Sequence, residues 1–258
     1  MRAALLALAL AMPMVAIAQT NPAPAPGTVV VEQSPEYRYQ IDFAVNKAAL
    51  AKMLPAGWEE APAASGPAKD CNLRMIFIDR MNIVAGDGKI AGSGTNRLVY
   101  LAIPVKKTGG AETGQIIISG ITEKVENAND AFGVLIKASK AAMSRSISST
   151  LATEDWDFAA VSGEHMSLHV SFEPYVANRT NAEVKFYNPK DPTKYQVFRT
   201  EHATDISRNV TTTPPDRVKE FSYKAGGGKI AALFDGTEKV LSWDSQRWYV
   251  RTISAPAP

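Results

Sequence analysis

Tyr37-Arg38-Tyr39-Gln40-Ile41-Asp42-Phe43, followed by Ala44-Val45-Asn46-Lys47-Ala48-Ala49-Leu50-Ala51-Lys52-Met53-Leu54-Pro55-Ala56-Gly57-Trp58, is the stretch that decides the fold. Tyr37, Tyr39, Ile41 and Phe43 alternate with polar residues, the period of a strand with one face in a core. Asn46 can cap a short helix over 47–54, which Pro55 stops and Gly57 turns away from.

Outward from this unit the chain reads as strands. Segments 72–80, 97–105, 115–125 and 156–161 are rich in β-branched or aromatic residues and bounded by turn-formers. Met166, Leu168, Val170 and Phe172 alternate with polar neighbours after a Ser162-Gly163-Glu164 hairpin turn. Further strands fall at 184–187, 195–200, 218–223, 230–234, 240–243 and 246–253, with a turn at Asp235-Gly236. The exception is 129–143, where Val134, Leu135, Ala138, Ala141 and Ala142 permit a helix starting near Asn129 or Asp130. The fold expected is α+β and predominantly β, a curved antiparallel sheet or cone-like β-barrel with a few short helices.

The ends bound the domain. Arg2, a short leucine-alanine run and Ala16-Ile17-Ala18 read as a signal peptide over 1–18, cleaved near Ala18. The chain is therefore expected in the periplasm or secreted, with no membrane span. Residues 19–28 form a Pro/Ala-rich spacer, 29–253 one domain and 254–258 a flexible tail. With 28 basic and 26 acidic residues in mixed order, no nucleic-acid footprint is present. The lone Cys71 permits no internal disulfide and reads as a small buried hydrophobe.

Few constellations suggest chemistry. His165 and His169, four apart on a strand, stand roughly 13 Å apart along the backbone, too far to share a zinc ion, and His202 restores no ligand spacing. There is no Gly-x-Ser-x-Gly elbow, and nothing calls for a metal, nucleotide, flavin or haem cofactor. The candidate of most interest is Lys137 with Lys140, within Phe132-Gly133-Val134-Leu135-Ile136-Lys137-Ala138-Ser139-Lys140. A desolvated lysine near a second positive charge can shed its proton and attack a ketone carbonyl to form a Schiff base. Two lysines on one amphipathic segment are, on spacing alone, usually a solvated face. Arg97 beside Tyr100 could anchor a carboxylate. Trp156, Trp243, Trp248 and Tyr249 could line a pocket or pack a sheet core.

The stretch from Tyr39 to Trp58, together with Tyr100-Leu101-Ala102-Ile103-Pro104-Val105, resembles the acetoacetate decarboxylase-like superfamily in its opening strand, helix and Leu-Pro turn and in its central Ile-Pro-Val strand. The resemblance extends loosely over most of the chain beyond the signal. It implies a cone-like β structure around a small-molecule pocket, with Lys137 as the Schiff-base candidate and Lys140 as modulator of its pKa. The chain departs from the family pattern where Ala138 replaces an adjacent lysine, Ile136 a proline, and Leu98 an expected glutamate. Three functions are carried forward. The first is a periplasmic protein binding or transforming a small carbonyl or carboxylate compound. The second is an active Schiff-base carbon-carbon lyase using Lys137, and the third a non-enzymatic envelope interaction protein.

Overall fold

The alternation of the opening stretch is realised as β1 (Thr28–Ala44), and Asn46 caps α1 (Lys47–Ala51), its Oδ1 accepting from the amides of Ala48 and Ala49 at 2.9 and 3.2 Å. The computed structural model describes residues 22–127, 130, 132–209 and 216–258; the signal segment and Asn129 lie outside the described residues. The remaining strands are β2 (Trp58–Glu60), β3 (Leu73–Arg80), β4 (Val84–Ala85), β5 (Asn96–Lys107), β6 (Thr113–Thr122) and β7 (Leu135–Ile147). They continue as β8 (Ala152–Ala160), β9 (His165–Phe172), β10 (Asn178–Tyr187), β11 (Tyr195–Asn209), β12 (Val218–Gly226) and β13 (Lys239–Pro256). The described residues are mostly β, with 60% of them in strands.

β6, β10, β11, β13, β1, β3 and β5 pair in that order, and β5 returns to β6, closing a ring of seven strands within one curved sheet. From β6 the sheet runs on through β7, β8, β9 and β12. This arm packs on the outside of the ring. Tyr39, Ile41 and Phe43 of β1 meet Phe77, Val99, Trp156, Phe158 and Phe172 there in the main core. A second cluster fills part of the ring interior, with Ile78, Leu98, Phe132, Val134 and Ile253 among its members.

Four expectations are corrected. The sheet is mixed, because β6 runs parallel to both β7 and β10; the dozen or so residues between Thr122 and Leu135 are enough for a parallel crossover. Where a helix was expected over 129–143, residues from Leu135 on form β7, paired with β6 over 135–137 and with β8 from Ala138 to Ile147. Ile136, Ala138, Ala141 and Met143 pack on the main core, while Asp130 accepts hydrogen bonds from the amides of Val134 and Leu135 at 3.0 and 2.8 Å and opens no helix. Long-range pairing overrides a weak helical preference there. Residues 228–233 form a 3₁₀ turn where a strand was expected; its three-residue period puts Ile230 and Leu233 together in the core. Ser254–Pro256, read as tail, extend β13 against Thr28–Val30, and the segment read as a spacer is docked by bonds from Thr252 to the Pro22 carbonyl and from Arg199 to those of Ala23 and Pro24.

Candidate ligand site inside the ring

Because the odd positions 37–43 of β1 face the main core, the even ones face the ring interior. Glu36, Arg38, Gln40 and Asp42 therefore form a polar row enclosed by strands. Arg38, Gln40 and Asp42 help line a cavity of about 420 Å³, to which β3 adds Arg74 and Ile76, β5 Tyr100, and β6 Gln115. β11 contributes Thr200, His202 and Thr204, and β13 contributes Asp244, Gln246 and Tyr249. Pro67, Asn178, Thr204 and Ile206 also border a wider surface cleft, which makes their end the mouth.

The floor is a network of buried charge. Glu36 sits among Arg38 at 2.6 Å, Arg80 at 3.2 Å and Arg251 at 2.5 Å, while Glu32 pairs with Arg80. Two carboxyl groups thus face three guanidiniums. Burial alone would raise the Glu36 carboxyl, but Arg251, Arg38 and Arg80 outweigh it and hold it down at about 2. Burial does push Glu32 up, against the pull of Arg80 and Arg251. The positive surplus is therefore enclosed.

Arg38 carries that surplus into the wall. Its guanidinium lies 3.8 Å from the centre of the Tyr249 ring, and its Nη1 is 3.5 Å from the Tyr100 hydroxyl, at the long edge of hydrogen bonding. His202 stacks on the same Tyr249 ring at 5.2 Å, with its nitrogens 3.0 and 3.3 Å from the hydroxyls of Thr180 and Thr200. Burial, then Arg38, lowers its pKa, which favours a neutral imidazole. Oxygens of Gln115, Thr204, Asp244 and Gln246 are enclosed here without a hydrogen-bond partner in the protein. Buried polar atoms are rarely left so.

The structure separates the residues singled out in the sequence. Tyr100 is buried and lines the cavity. Arg97, an odd number of residues away on the same strand, falls on the opposite face and pairs with Asp79 at 3.3 Å, outside the cavity. Lys137 is exposed on β7, and Lys140, also exposed, pairs with Asp157. Ahead of them, Leu135 packs on the ring-interior cluster beside Leu98. Of the aromatics, Tyr249 lines the cavity, Trp156 and Trp243 are in the main core, and Trp248 carries Arg179 over its ring at 4.9 Å. Burial, then Asp42, pushes the Cys71 thiol up, which disfavours the nucleophilic thiolate. His169 bonds Asp155 at 2.7 Å and Glu220 at 3.2 Å on the outer sheet face. The arginines and glutamines of the cavity were missed from sequence, and His202 was weighed there only as a metal ligand; the available signal was the polar row on β1, readable only once that face is known to point inward.

No family model and no curated protein matches this sequence. Solved structures do. The enduracididine biosynthesis enzyme MppR in complex with pyruvate superposes with a TM-score of 0.54 at 9% identity, covering 95% of this chain and 93% of that one. An acetoacetate decarboxylase-like enzyme from Sphingomonas wittichii RW1 gives 0.54 at 11% identity, over 88% and 91% of the two chains. The fold is acetoacetate decarboxylase-like. At such identities the likeness is one of fold. In this acetoacetate decarboxylase-like ring, no lysine is among the described residues lining the cavity, and Leu98, where a glutamate was looked for, packs in the ring-interior cluster.

Proposed function

We propose that the ring interior binds, or transforms without a covalent lysine intermediate, a small carbonyl compound bearing a carboxylate, and that the protein does so in the periplasm after its signal is removed near Ala18. The observation that carries the reading is the enclosed surplus of guanidinium charge, presented by Arg38 beside Tyr100, Tyr249 and His202. A buried guanidinium is a directional partner for a carboxylate, and the Tyr100 hydroxyl is placed to share its oxygens. The volume suits a molecule of a few heavy atoms with water around it. The pyruvate complex of MppR, on the same fold, supports the choice of short 2-keto acids as first probes.

Calorimetric titration of the mature protein with pyruvate, acetoacetate and related keto acids tests this. Binding of at least one is expected, weakened roughly ten- to a hundredfold by Arg38→Gln, provided circular dichroism shows the variant folded. No binding across the panel overturns the reading and leaves an envelope interaction protein. Borohydride trapping separates the covalent alternative. No adduct is expected, and Lys137→Ala should bind as wild type does; a stable adduct mapped to Lys137 would establish the Schiff-base lyase instead. Sequencing the amino terminus of protein recovered from the periplasm should begin at Gln19.

A further inference from the structure

At the mouth of the cavity two carboxyl groups compete for one set of donors. Asp42 receives hydrogen bonds from Ser242 Oγ at 2.7 Å and Gln40 Nε2 at 3.0 Å, and lies 3.5 Å from Arg74 Nε. Asp244 pairs across the strands with Gln40 and Ile206, lines the same cavity, and has its Oδ1 enclosed without a donor. Gln246, two residues along on the same face, is 7% exposed and its Oε1 is likewise unpartnered; Gln115 repeats the pattern from β6. A polar lining so short of internal partners is built to meet something in the cavity.

We propose that Asp244 acts as a neutral carboxylic acid whose O–H donates a hydrogen bond to an oxygen of the bound keto acid, diagonally beside Arg38 on the paired strands β1 and β13. This rests on the cavity being the ligand site. A second anionic group there would repel the ligand, whereas a protonated carboxyl supplies a further donor beside Arg38. The surroundings favour that state. Burial and the neighbouring Asp42 raise the Asp244 pKa well above the ordinary range, Asp205 adds to the effect, and Arg74 opposes it. Those three and Tyr39, with Arg38, His202, Tyr100 and Tyr249 of the cavity lining, are the charged or titratable groups among the described residues that bear on it.

The sign of the pH effect follows. Affinity is full below the raised pKa of Asp244 and falls as the pH climbs through it. Pyruvate and acetoacetate titrations from pH 5 to 9 on wild type, Asp244→Asn, Asp244→Ala and His202→Gln read this, alongside infrared spectra of the protonated carboxyl band with and without ligand. Asp244→Asn keeps a donor that cannot ionise, so its affinity should stay near wild type and become flat in pH. Asp244→Ala should bind about tenfold more weakly at the low-pH end, and His202→Gln should keep the wild-type pH dependence. The carboxyl band should be lost in Asp244→Asn and should move when ligand is added to wild type. If ligand binds but the band is absent or unmoved, or if Asp244→Ala binds as wild type, the role of Asp244 is overturned and the ligand site stands. If nothing binds, the ligand site falls, and this role with it.

Discussion

Glu36 shows what one enclosed carboxylate does for this molecule. Its carboxyl, held at about 2 against an ordinary value of 4.5, contributes stability that is present above the unfolded value and lost as the pH falls through the folded one. That contribution is about 3 kcal/mol, disappearing between roughly pH 4.5 and 2. Urea midpoints of wild type should therefore fall as the pH is lowered across that range, and Glu36→Gln should remove this part of the fall. The same variant leaves three guanidiniums facing only Glu32, and a loss of about 3–5 kcal/mol at neutral pH is expected in the same melts. At this scale the sequence was half legible. The alternation of Tyr37, Tyr39, Ile41 and Phe43 announced a core face, but the intervening Glu36, Arg38, Gln40 and Asp42 read as ordinary solvent positions. Only closure of the ring converts that second face into a cavity wall, and closure depends on β13, whose Gln246 pairs with Arg38 from 208 residues further along the chain.

At the scale of single elements, β6 is the hinge between ring and arm. Gly120 pairs with Tyr100 on one side and Leu135 on the other, and a Cβ there would meet the Val99 carbonyl oxygen at 2.7 Å and Leu135 Cδ2 at 2.4 Å. Gly120→Ala should therefore cost about 1–3 kcal/mol, measured by thermal or urea unfolding, since the backbone oxygen cannot step aside as a side chain could. Asn46→Ala removes the acceptor for two helix amides and should cost about 1 kcal/mol in the same assay. That cap was legible because its signal is local: Asn46, a short apolar run and Pro55. The identity of β7 was not. Its alanines and lysines suit either element, and its strand form comes from pairing with β8 and from the main core beneath it. Once it is a strand, Lys137 and Lys140 lose the helical neighbourhood that made them look like a reactive pair.

For the whole molecule, two layers meet across one main core, and a polar tie crosses it. Glu154 of β8 accepts hydrogen bonds from the Tyr37 hydroxyl of β1 and, at 3.1 Å, from Trp156 Nε1, while Tyr37 Oη lies 3.0 Å from Ser245 Oγ. Glu154→Ala strands these donors in an apolar layer and should lower stability by about 1–3 kcal/mol, with Tyr37→Phe adding little once Glu154 is gone; a double-mutant cycle measures the coupling. The β-rich class was legible from the many short alternating segments, whereas the mixed pairing was not, because nothing in β6 alone states that both β7 and β10 run alongside it in its own direction. The pairing of Thr28 with Pro256 also governs when function can arise. A chain emerging in order from its amino end exposes Arg38 early but meets Gln246 and Tyr249 last, so a nascent or clipped chain lacking β13 has neither a closed ring nor the cavity inside it. Such long-range closure is slow, and any helper that guards the unfinished polypeptide must hold it until the final strand arrives.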